Sequence, residues 1–182
     1  MTVRSMNRSL PMSPRPFGGL RLLAAAGLAG ATLIAGCGGG SPAGDAAAPA
    51  GYPGVTVTGE AGTAPVVTVE GAEPPVELAS ADLIVGDGRA VSAGDTLTVH
   101  YTGVGLNSGA VFDSSWSRGE PVTFGLDQLI EGWQVGLPGA TVGTRRLLVV
   151  PADMAYGETP PLGSGIAPGE PLIFVIDVVA IG

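Results

Sequence analysis

Lysine is absent from this chain, cysteine and histidine occur once each, and aromatic residues make up 5% of its 182 positions. A single cysteine and a single histidine cannot assemble a Cys/His zinc site within one chain. A nucleophilic triad would have to recruit His100, and no G-x-S-x-G elbow accompanies it. The phosphate-binding loop G-x-x-x-x-G-K-[ST] is excluded outright, because its lysine does not exist. Basic charge of any kind is scarce: Arg4, Arg8, Arg15 and Arg21 precede residue 22, so from Cys37 onward four arginines face sixteen carboxylates, a net charge of −12. Such a surface repels phosphate backbones, which argues against a nucleic-acid partner. A membrane-spanning run is missing too. The apolar stretch from Leu22 to Ala35 is 14 residues, interrupted only by glycines and Thr32, and a bilayer-spanning helix needs about 20.

What that stretch does suit is the h-region of a signal peptide behind a basic start. It ends at Ile34-Ala35-Gly36-Cys37, which resembles the lipobox of bacterial lipoproteins. The resemblance implies removal of residues 1–36 and lipidation of Cys37 as the new N-terminus, at the outer face of the plasma membrane. Residues Gly38 to Gly54 are mostly Gly, Ala, Pro and Ser, with Asp45 as the one charge, and read as a flexible tether. The tether is taken to run over 37–64 and a single folded domain over 65–182, with Val55 to Glu70 as an edge strand or part of the tether.

The folded part shows short β-branched runs punctuated by Gly, Pro and Asp. Strands are expected at Val66 to Val69, Asp82 to Val85, Thr96 to Thr102, Arg145 to Val150 and Leu172 to Ile181. Leu97, Val99 and Tyr101 alternate with Thr98 and His100, so one face of that strand is buried and the other wet, with Tyr101 inward and His100 outward. Asn107-Ser108-Gly109 reads as a hairpin turn. The one helical pattern is Asp127 to Leu137, with Asp127 as N-cap and Pro138 as the stop. An antiparallel sheet of five to six twisted strands wrapped around one short helix is an α+β design. Arg145 and Arg146 read as a strand edge with one arginine on a solvated face, Phe124 as core, and Trp116 as rim or surface.

Three blocks follow one another closely: His100-Tyr101-Thr102-Gly103, Phe112-Asp113-Ser114-Ser115 and Ile130-Glu131-Gly132-Trp133. Val142-Gly143, Ala155-Tyr156-Gly157, and Ile166-Ala167-Pro168 before Leu172-Ile173-Phe174 continue the order. Together they resemble the FKBP family of peptidyl-prolyl isomerases, the macrolide-binding immunophilins, over roughly Pro65 to Gly182. The resemblance implies an apolar pocket floored by Trp133 and walled by Tyr101, Phe112, Leu129, Ile130, Ile166 and Phe174, with Ala155 beside it. Asp113 and Tyr156 would supply the polar groups at the rim, Arg118 would hold Asp113, and the Ile130 N–H would receive a ligand carbonyl. Departures from the family pattern are Val122 in place of an aromatic, Gln128 in place of a glutamate, and the loop Glu158 to Gly165 with Pro160 and Pro161.

Such chemistry needs no nucleophile, metal or cofactor, in agreement with what composition excludes. An X-Pro bond crosses a barrier of about 18–20 kcal/mol, and an acceleration of about 10⁵-fold lowers it by about 7 kcal/mol. Expected partners are proline-containing segments of exported proteins and macrolide inhibitors, with no nucleic acid, contact with the membrane only through the anchor, and a monomeric state. Two other readings stay open: a binding module or chaperone in the same fold with little catalysis, and a β-sandwich lipoprotein, which predicts no helix at Asp127 to Leu137.

Overall fold

The computed structural model describes residues 51–182; the expected signal segment 1–36, Cys37 and the expected tether up to residue 50 lie outside the described residues. Eight strands and one α-helix follow in order: β1 (Val55–Thr58), β2 (Val66–Val69), β3 (Ala79–Ile84), β4 (Thr96–Gly105), β5 (Val111–Ser114), β6 (Val122–Gly125), α1 (Glu131–Gly136), β7 (Arg145–Val150) and β8 (Leu172–Ile181). Strands β3 to β8 form one antiparallel sheet in the order β3-β7-β8-β4-β5, with β6 on the same edge of β4 as β5. Strand β4 is long enough to serve both: Thr96 to Val99 pair with β6, and Thr102 to Val104 with β5.

The sheet is apolar on both faces because β7 and β8 are near-continuous runs of Leu, Ile and Val. With a side-chain period of two, Leu148, Val150, Leu172, Phe174, Ile176 and Val178 join Leu97, Val99 and Tyr101 of β4 against α1. The intervening Leu147, Val149, Ile173 and Val175 meet Val104 and Leu106 on the other face. That second face is covered by the β1–β2 hairpin, whose Val55, Val57, Val67 and Val69 pack on it together with Tyr52. The expected wet face of β4 is therefore wet only toward its start. The expected tether boundary at 64 is also displaced, since Val55 is buried and β1 is a paired strand. A four-residue Val-Thr-Val-Thr run between Gly54 and Gly59 is too short to stand out from Gly/Pro-rich surroundings, and its apolar partners lie far along the chain.

Arg145 fixes this hairpin to the sheet. Its side chain is 1% exposed; Nε and Nη2 donate to Asp177 of β8 at 2.5 and 2.6 Å, and Nη1 and Nη2 donate to the carbonyls of Gly59 and Thr63. The expectation of a strand edge is thus wrong for β7, which lies between β3 and β8. Arg146 points to the opposite face, holding Asp82 of β3 with Nε and Nη2 and the Gly136 carbonyl at the end of α1 with Nη1, 2.9 Å away.

The helix is shorter than its sequence pattern. A 3₁₀ turn, Leu126–Gln128, comes first; Leu129 and Ile130 are extended, and α1 begins at Glu131 with Ile130 as N-cap, so Asp127 caps nothing. The Leu129 and Ile130 side chains both line the cavity described below. Gly132 allows α1 to lie close on β7, where a Cβ would fall 2.4 Å from a methyl of Val150.

Candidate active site

Between the start of α1 and the sheet face that packs against it lies a cavity of about 240 Å³, lined by Tyr101, Phe112, Asp113, Phe124, Leu129, Ile130, Trp133, Tyr156 and Phe174. Trp133 is its hub. The indole meets three rings edge-on: Tyr101 (centroids 5.6 Å apart, 84°), Phe174 (5.4 Å, 87°) and Phe124 (6.5 Å, 90°). Phe174 in turn meets Phe112 at 5.7 Å and 89°. Edge-to-face contacts place the positive ring edge against a negative face, and such pairs contribute about 0.5–1.5 kcal/mol each beyond burial. They also fix the rings against one another. Gly103, opposite Phe174 in the β4–β8 register, makes room for this: a Cβ there would fall 2.5 Å from the Phe112 ring. The indole nitrogen is buried and has no hydrogen-bond partner among the described residues; leaving it unsatisfied costs about 1–3 kcal/mol.

Polar groups gather on one side. The Tyr101 hydroxyl donates to Asp113 Oδ2, Arg118 Nη1 donates to Asp113 Oδ1 at 2.6 Å, and Arg118 Nη2 donates to the Tyr101 oxygen at 3.0 Å. Burial pushes the Asp113 carboxyl upward, but the hydrogen bonds from Tyr101 and Arg118 outweigh it and hold the group below the usual carboxylate range. Asp113 is therefore a carboxylate at neutral pH with both oxygens engaged. Burial, aided by the same carboxylate, raises both Tyr101 and Tyr156 above the ordinary tyrosine value, so both hydroxyls stay protonated. Unlike that of Tyr101, the Tyr156 hydroxyl makes no hydrogen bond among the described residues and is free to donate into the cavity.

Eight of the residues expected at the site thus line one cavity. Arg118 stands behind Asp113 rather than in the lining. Ile166 lines an adjoining cavity with Pro161 and Ser164, and that cavity shares Phe112, Asp113 and Tyr156 with the first. Ala155 is packed against the α1-side core and lines neither. Phe124, expected as core, lines the cavity. Its signal was faint: β6 is four residues long, follows Pro121 and pairs only with the first half of β4. His100 is half-buried on the far face, its Nδ1 3.0 Å from Ser115 Oγ and its ring stacked on Trp116 at 3.9 Å. It has no part in the cavity.

Residues 87–179 match the family model described as FKBP-type peptidyl-prolyl cis-trans isomerase. The chain is 50% identical over 119 residues to an FK506-binding protein of Streptomyces anulatus, covering 64% of this chain and 96% of that one. It is 47% identical over 88 residues to the peptidyl-prolyl cis-trans isomerase FPR2 of Saccharomyces cerevisiae, covering 47% of this chain and 64% of that one. Among solved structures it is similar to AtFKBP13, with a TM-score of 0.54 and 33% identity over 60% of this chain and 96% of that one. A peptidyl-prolyl isomerase from Pseudomonas syringae superposes with a TM-score of 0.53 at 32% identity, covering 58% of this chain and 75% of that one.

Proposed function

The chain belongs to the FKBP-type peptidyl-prolyl cis-trans isomerases, and we propose that it accelerates X-Pro isomerisation in exported proteins, as a monomer held by a lipidated Cys37 at the outer face of the bacterial plasma membrane. The observation that carries the catalytic reading is the aromatic cavity around Trp133, with one hydroxyl, that of Tyr156, left free to donate among the described residues. A planar amide is the more charge-separated form, so transfer from water into this cavity disfavours it relative to the twisted form. Trp133 receives the prolyl ring, with Tyr101, Phe112, Phe124 and Phe174 around it, and Leu129 and Ile130 close the wall. The Tyr156 hydroxyl and the Ile130 N–H orient the flanking carbonyls. Asp113 is held by Arg118 and in turn sets the Tyr101 hydroxyl. Macrolides of the FK506 type would compete for the same cavity.

The location rests on the apolar stretch ending at the chain's single cysteine. Outside the membrane, uncatalysed proline isomerisation takes about 10–100 s and limits folding, which gives such an enzyme its task. The test is an X-Pro isomerisation assay on the full chain beside Trp133→Leu, together with membrane fractionation of cells expressing the chain and its Cys37→Ala variant. Acceleration lost in the tryptophan variant, and release from the membrane in the cysteine variant, are the expected results. A folded chain that accelerates no peptide would favour a binding module in the same fold, and membrane association independent of Cys37 would refute the anchor.

A further inference from the structure

Among the described residues no cation is left free to answer the unpaired carboxylates. The described residues contain four arginines and no lysine, and each arginine is held by a carboxylate of its own chain: Arg89 by Asp95, Arg118 by Asp113, Arg145 by Asp177 and Arg146 by Asp82. Arg118, the cation beside the cavity, is neutralised by a residue that lines it. The segments that carry the lining residues also carry exposed carboxylates. Asp127 stands two residues before Leu129, Glu131 directly follows Ile130, and Glu158 stands two residues after Tyr156. None of these three forms an ion pair among the described residues.

On the reading that this cavity isomerises X-Pro bonds, we infer that it selects proline segments flanked by lysine or arginine and disfavours those flanked by aspartate or glutamate, with Asp127, Glu131 and Glu158 as the specificity-determining carboxylates. The site remains the apolar cavity; the carboxylates tune which segments reach it. A prolyl ring in an aromatic box carries no charge to read. Its neighbours in an extended peptide, about 3.3 Å apart along the chain, extend from the cavity over the rim. One exposed charge pair is weak, but several charges of one sign without counter-charge act together on association, so the preference resides in kcat/KM and weakens with salt.

The experiment uses the full chain and three peptides that differ only in carrying Lys, Gln or Glu on both sides of one Ala-Pro bond. At about 0.01 M ionic strength, where the Debye length is about 30 Å, the expected ratio of kcat/KM for the Lys over the Glu peptide is about fivefold or more, falling toward one at about 1 M, where it is about 3 Å. The triple variant Asp127→Asn, Glu131→Gln, Glu158→Gln should lose at least half of the low-salt ratio. Glu70→Gln with Glu73→Gln, around the far hairpin, should leave it unchanged. Equal kcat/KM for the three peptides at low salt would overturn this inference and leave the isomerase standing, whereas acceleration of none of them would overturn both. A lysine preference that survives about 1 M salt, or the triple variant, would overturn the assignment to these carboxylates.

Discussion

At the scale of the residue, the hydroxyl with work left to do is that of Tyr156, protonated and without a hydrogen-bond partner among the described residues, at the edge of an aromatic cavity. One neutral hydrogen bond contributes about 0.5–1.5 kcal/mol, so Tyr156→Phe should lower kcat/KM about three- to tenfold while leaving the denaturation midpoint in place. An unchanged kcat/KM would remove the hydroxyl from the mechanism. Trp133→Leu removes the ring that three others meet edge-on, and ligand binding should weaken more than in the Tyr156 variant, which titration with a proline peptide or a macrolide would measure. The pH dependence follows from the same groups. Asp113 has a folded pKa below its unfolded value of about 3.9. Its contribution to stability is therefore complete above that value and lost as pH falls through the lowered one. Tyr101 and Tyr156 are shifted above the ordinary tyrosine value. No group assigned to the site titrates in between, so kcat/KM for an uncharged peptide should be flat from about pH 5 to 9. A limb inside that window would show that another group takes part.

Among the elements, the junction of β7, β8 and the hairpin carries the largest electrostatic stake. Arg145 is buried against Asp177 and two carbonyls of the β1–β2 connection, and removing one partner of a buried pair leaves the other uncompensated, at a cost of about 3–5 kcal/mol. Arg145→Met should destabilise the protein on that scale in urea unfolding, whereas Arg89→Met, whose partner pair is exposed on the arginine side, should cost under about 1 kcal/mol. A small effect at Arg145 would mean that water reaches Asp177 in the folded chain. This junction also marks where the sequence was legible and where it was not. Strands β4, β7 and β8 announce themselves by alternating or continuous β-branched residues, and the site aromatics by their spaced blocks. Nothing local in Arg145-Arg146 says that one guanidinium is enclosed by a hairpin that begins about 90 residues earlier. The same holds for α1, whose apolar spacing suits a longer helix, whereas Leu129 and Ile130 are extended and the helix starts at Glu131. Phe124 was hidden for a related reason, since only the pairing of β6 with β4 turns it toward Trp133.

For the whole molecule, the two faces of the sheet divide the labour: one holds α1 and the catalytic cavity, the other is sealed by the β1–β2 hairpin. Val104, Leu106, Leu147, Val149, Ile173 and Val175 are all at most 3% exposed on that sealed face. Fully burying a Val, Leu or Ile contributes about 1.5–3 kcal/mol, so uncovering even part of this face is comparable with the total stability of a domain, about 5–15 kcal/mol. An apolar patch of that kind also invites association. A fragment beginning at residue 65 would lose β1 outright, leave β2 unpaired and free the Arg145 donors that hold Gly59 and Thr63. That fragment should aggregate or unfold at a clearly lower midpoint, while one beginning at residue 51 should remain monomeric and unfold cooperatively; light scattering and a thermal melt on the pair would decide. Equal behaviour would make the hairpin an appendage. If the hairpin belongs to the domain, the tether from the proposed lipid anchor shrinks to residues 38–50, and a flexible chain of that length spans about 20 Å. On the proposed anchoring, the isomerase would work within that distance of the membrane surface, and the inferred preference would lead it first to lysine- or arginine-flanked prolines.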